Sequence, residues 1–85
     1  MQTSTSISID QIRAARAMLR MSAEALAEES GISIATIKKL ETKNSQITPR
    51  ASTMDRLITV LESHGIEFLG TAEDSPGVRL HRPAR

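Results

Sequence analysis

Lys38, Lys39 and Lys43 bring three ammonium groups into one short stretch, and the guanidinium of Arg50 follows after a polar loop. Just ahead of them stand Ser33 and Thr36, two short hydroxyls spaced i, i+3; the first suits the N-cap of a helix, and both can hydrogen-bond polar edges. A helix N-terminus attracts phosphate, and lysines release the counterions that surround it. The chemistry of this set is recognition of an anionic, phosphate-bearing partner. Among these polar residues lie Ile34 and Ala35, which can touch methyl groups but cannot make the bidentate bonds that discriminate bases by about 1–3 kcal/mol. With Met21 and Ala23 they form a second set, apolar and rimmed by Lys38 and Lys39, in the manner of a compact protein-binding surface.

The remaining reactive side chains do not assemble a catalytic site. His64 falls at a helix end where it can neutralise terminal carbonyls, Glu28 and Glu29 read as a solvated charge pair, and Asp74-Ser75 belongs to a turn. Gly70 and Gly77 fit turn geometry rather than a phosphate loop. There is no cysteine, and His64 and His81 stand far from any carboxylate cluster, so neither a metal nor a cofactor is expected. Phe68 is the only aromatic residue, which argues against the base-stacking platforms used for RNA and single strands.

Composition narrows the class further. The 85 residues allow one small domain, and 11 Lys and Arg against 10 Asp and Glu give a net charge of +1, too little for a protein that coats nucleic acid. The opening MQTSTSISID is polar, and no run approaches the roughly 20 apolar residues that span a bilayer. A cytoplasmic protein without a membrane segment is expected.

Four amphipathic helices must position the two sets. Residues 1–7 read as a disordered lead. Ser8 and Gln11 form a capping box that opens the first helix, whose inward stripe is Ile9, Ile12, Ala15 and Leu19, with Arg13, Arg16 and Arg20 facing solvent. Ser22 caps a second helix carrying Leu26 and Ala27 inward, and Gly31 ends it in the left-handed conformation. Ser33 caps a third, in which Ile37 and Leu40 clamp onto the second together with Ile32. The loop from Thr42 to Ala51 carries Lys43, Asn44, Pro49 and Arg50. Ser52 and Asp55 then mark a box-like start for a fourth helix with Met54, Leu57, Ile58 and Leu61 inward, stopped at His64-Gly65.

The tail changes period. Ile66–Leu69 and Val78–His81 alternate like strands around the turn-rich GTAEDSPG, which predicts a hairpin over residues 65–81 with Phe68 as its anchor. A lone hairpin is marginal in water, so it packs on the helices or pairs with its copy in a homodimer. Residues 82–85 read as a disordered tail. The expected fold is mainly α: four helices over residues 8–64 with a short C-terminal β-hairpin.

The segment IRAARAMLRMSAEALAEESGISIATIKKLET, residues 12–42, resembles the XRE family of helix-turn-helix domains, the group that includes phage Cro and the lambdoid repressors. The residues that carry the resemblance are Ala15-Arg16, Leu26-Ala27, Gly31, Thr36-Ile37 and Leu40-Glu41, with Pro49-Arg50-Ala51-Ser52-Thr53 ahead of the fourth helix. It covers residues 8–64, and the GIEFL to PGVRL tail is similar to that of short bacterial regulators in which a hairpin replaces a fifth helix.

The resemblance implies a small transcriptional regulator that binds duplex DNA as a symmetric dimer on half-sites about one helical turn apart. By position, Ser33, Ile34, Ala35, Thr36, Lys38 and Lys39 would face the major groove. Ser22 and Ala23 would lie beside the backbone, with Lys43, Asn44 and Arg50 flanking it. The chain departs from the family at Ala23, where Gln is frequent, and at Ile34 and Ala35, where polar residues are usual. That departure keeps a second expectation open: an antiactivator that binds and sequesters another transcription factor through Met21, Ala23, Ile34 and Ala35.

Overall fold

Short polar side chains set where the first three helices begin. The computed structural model describes residues 7–42 and 48–82, so Lys43 and Asn44, the lead before Ile7 and the end of the tail lie outside the described residues. Helix α1, Ile9–Leu19, follows Ser8, whose Oγ accepts the Gln11 backbone N–H at 3.2 Å while Gln11 Oε1 accepts the Ser8 N–H at 2.9 Å. This is the expected capping box. Helix α2, Ala23–Ser30, starts at Ser22, whose Oγ accepts the Ala25 N–H at 3.0 Å. Helix α3, Ile34–Glu41, starts at Ser33 in the same way.

Two starts differ from the sequence reading. Ile7, placed in a disordered lead over residues 1–7, is only 6% exposed and belongs to the core. It stands just before the N-cap, with Ile12 four residues into the helix, the two positions that a hydrophobic staple joins. The fourth helix, α4, spans Ala51–Ser63 and is not boxed by Ser52 and Asp55. Its N-cap is Arg50, extended at φ −68 and ψ 150 with no side-chain cap, and the Arg50 carbonyl accepts the first helical bond from Met54 N–H at 3.0 Å. Pro49, lacking an N–H and fixed in φ, delivers the chain into that start.

The helices enclose one core built from the expected stripes: Ile12 and Ala15 of α1, Leu26 of α2, Ile37 and Leu40 of α3, and Met54, Leu57 and Leu61 of α4 are all buried. Gly31 sits at φ 74 between α2 and α3, a left-handed turn in which its N–H donates to Ala27 O at 2.9 Å. Only glycine takes that conformation at little cost.

The hairpin is present and packs on the helices. Strand β1, Ile66–Leu69, pairs antiparallel with β2, Gly77–Leu80. Ile66 opposes Leu80 and Phe68 opposes Val78, and these apolar residues of the inner face join the core. Glu67 opposes Arg79 on the other face. The Gln11 side-chain amide donates to Leu69 O at 2.9 Å and Gly77 O at 3.1 Å, so the residue that caps α1 also ties down the closed end of the hairpin. Gly65 turns α4 into β1 at φ 98, where an added Cβ would fall 2.5 Å from His81 O. The fold is thus mainly α, with four helices and a two-stranded antiparallel hairpin among the described residues.

Candidate nucleic-acid interface

Helix α3 has two faces because its apolar residues recur at i, i+3. Ile37 and Leu40 are buried at 1% and 5% exposure, while Ala35, Thr36, Lys38 and Lys39 are exposed and Ile34 is half-buried. Burying the first pair forces the lysines outward, so Ser33, Thr36, Lys38 and Lys39 share the solvent side of the turn and helix. Arg50 is exposed at the head of α4. Lys43 lies outside the described residues.

The helix termini add to this charge. Helices α1 and α2 carry an acid in their first turn, Asp10 and Glu24, which offsets the positive end of each helix. Helices α3 and α4 carry none. Their N-terminal dipoles are left without an opposing carboxylate, and at α4 Arg50 adds a further positive charge. Lys38 and Lys39, in the last turn of α3, interact favourably with its negative end.

The apolar set is less available than its residue types suggest. Met21 and Ala23 are half-buried and pack against the core, so part of their apolar area is already covered within the domain. Ile34 is half-exposed and Ala35 exposed. The large exposed aliphatic among the described residues is Met18, at 43%, on α1.

Arg16 corrects the sequence reading most clearly. Expected in solvent, its side chain is only 21% exposed and holds Glu41, itself 11% exposed, in a two-pronged ion pair. Nε donates to Glu41 Oε2 at 2.9 Å, Nη2 to Glu41 Oε1 at 2.5 Å, and Nη1 to the Met21 carbonyl at 2.9 Å. One planar fork thereby joins α1, the turn before α2 and the last residue of α3. The hydrogen bond to Glu41 raises the Arg16 pKa above its ordinary value, against the opposing effect of burial. Both residues were among those that carried the family resemblance; that was the signal pointing to the pair.

A second cross-link involves the expected solvated pair Glu28-Glu29. Glu29 is engaged: its Oε1 lies 2.8 Å from Nε2 of His64, the C-cap residue of α4, tying the end of α2 to the end of α4. Glu28 is exposed. Among the described residues no group of three or more His, Cys, Asp or Glu side chains is placed to hold a metal ion, and no helix is long and apolar enough to cross a membrane.

No curated protein matches the chain. Residues 12–68, two thirds of its length, match the helix-turn-helix family. With α2, the Gly31 turn and α3 inside that span, and α3 turning its hydroxyls and lysines to solvent, the chain belongs to the XRE-type helix-turn-helix family.

Proposed function

We propose that this protein is a small cytoplasmic transcriptional regulator that binds duplex DNA by laying α3 in the major groove. In this reading Ser33, Thr36, Lys38 and Lys39 face the DNA, while Lys43 and Arg50 flank the phosphate backbone. Two copies occupy half-sites about one helical turn apart, as the family's symmetric binding requires. The observation that carries the reading is the outward face of α3, which offers hydroxyls and lysines and no carboxylate in its first turn, within a domain of a DNA-binding family. Neither enzymatic chemistry nor a cofactor enters it.

The test is a fluorescence-anisotropy titration of the full chain with duplex DNA from its own upstream region and with an unrelated duplex, at low and at physiological salt. Tighter binding to the first duplex that persists at physiological salt supports the reading. Equal, weak binding that vanishes with salt on both duplexes sinks it.

The half-exposed Ile34 at the leading edge of α3 favours one competing reading, in which the same face sequesters another transcription factor. Under it, Ile34→Asp abolishes regulation in cells while Lys38→Ala with Lys39→Ala does not. The DNA reading predicts that the double lysine variant is the defective one.

A further inference from the structure

Ser33 and Thr36 are joined twice at the start of α3. Ser33 Oγ accepts the Thr36 backbone N–H at 3.1 Å, and the Ser33 hydroxyl donates to Thr36 Oγ1 at 2.9 Å. A hydroxyl has one proton and two lone pairs. The proton of Ser33 occupies a lone pair of Thr36, and Thr36 Oγ1 donates to no group among the described residues. Thr36 is exposed on the outward face. Its own proton is therefore the part of the hydroxyl left to face a partner. A freely turning Ser or Thr hydroxyl serves donors and acceptors alike and discriminates little between base edges. The bond from Ser33 removes that freedom.

We propose that Thr36 acts in the major groove as a hydrogen-bond donor, so that the base it meets in each half-site is a keto base, guanine or thymine, and not cytosine or adenine. Guanine presents O6 and N7 and thymine presents O4, all acceptors, whereas cytosine offers only its N4 donor and adenine places its N6 donor beside N7. Exposed Ala35, next along the helix, adds an apolar contact that suits the thymine methyl. The proposal rests on the DNA-binding reading above and deepens it. It makes Ser33 a positioning residue, which acts on specificity through Thr36 without touching the base.

The test is selection of bound sequences from a randomised duplex pool by the full-length wild type and three variants, each first checked for a wild-type-like thermal transition. The wild type is expected to select guanine or thymine over cytosine and adenine by about fivefold to tenfold at one position of each half-site, the discrimination of one net hydrogen bond. Thr36→Val, nearly the same shape, should lose that preference and keep the others. Ser33→Ala frees the Thr36 hydroxyl and should admit all four bases at that position.

Ser33→Asp keeps an N-cap acceptor but takes the Thr36 proton, turning lone pairs outward. The preference should then invert toward cytosine and adenine, with binding weaker overall because of the added charge. If the wild type selects cytosine or adenine there, or if Thr36→Val or Ser33→Asp leaves every position as it was, the donor role is overturned while DNA binding stands. If the wild type selects no sequence, the DNA-binding reading fails and this inference fails with it.

Discussion

Arg16 and Glu41, 25 positions apart, meet in a two-pronged ion pair that pins the C-terminal end of α3 to the middle of α1. The third prong of the same guanidinium, on the Met21 carbonyl, fixes the entry to α2. Both helices of the helix-turn-helix are therefore indexed to α1 through one side chain. The angle at which α3 is offered to a partner depends on that fork, because α3 is short and has few other constraints at its far end.

Arg16→Ala should lower the stability of the domain by about 2–4 kcal/mol, since it strands a mostly buried carboxylate. Arg16→Lys keeps the charge but lacks the planar fork, and should recover less than half of the loss. Chemical denaturation of Arg16→Ala, Glu41→Ala and the double variant checks this. A double-mutant coupling energy below about 0.5 kcal/mol would show that the pair contributes nothing specific.

Gln11→Glu separates local from tertiary logic. A capping box accepts glutamate as readily as glutamine, but here the amide nitrogen donates to Leu69 O and Gly77 O, and a carboxylate oxygen in its place would face two carbonyls. Gln11 is 3% exposed, so the variant should cost about 2–4 kcal/mol at neutral pH. The introduced carboxyl would have a folded pKa above its unfolded value, so the folded state binds more protons. The penalty should therefore shrink as the pH is lowered through that raised pKa and grow as it rises. A thermal transition that is lower at pH 7 than at pH 4 for the variant, relative to wild type, is the expected result.

Lys38→Ala with Lys39→Ala should leave the fold intact, as both side chains are exposed. If both lysines neutralise phosphates, the slope of log K against log salt becomes shallower by about 2. Anisotropy titrations across a salt series measure it. An unchanged slope would remove both residues from the interface.

Glu67 is held by His81 and Arg79 on the outer side of the hairpin, at 2.6 Å and 3.5 Å. The hydrogen bond with His81, more than the charge of Arg79, lowers the Glu67 carboxyl below its ordinary value. A depressed folded pKa supplies stabilisation above the unfolded carboxylate range that is lost as the pH falls through the folded value. Loosening of the outer hairpin face should thus be confined to acid below about pH 4. The Glu67 titration followed by NMR should have a midpoint under that of a free glutamate, and His81→Ala should move it upward.

What could be read along the chain was what neighbouring residues decide among themselves. Ser8, Ser22 and Ser33 each cap a helix through a backbone N–H three residues on, Gly31 turns because it lacks a Cβ, and the alternation of Ile66 and Phe68 sets which hairpin face is inward. These depend on contacts within one helical turn or one strand period, and they carry most of the fold and the outward face of α3. The start of α4 escaped even this local logic, because Ser52 and Asp55 have the residue types of a cap while the backbone after Pro49 turns helical one residue earlier. Tertiary structure alone decided that Arg16 leaves solvent for Glu41, that Glu29 meets His64, that Ile7 closes the core, and that the Gln11 amide grips the hairpin. Each of those joins residues that become neighbours only after the helices have packed, and a polar side chain's partner is chosen by which groups that packing strips of water, a property no stretch of sequence holds by itself.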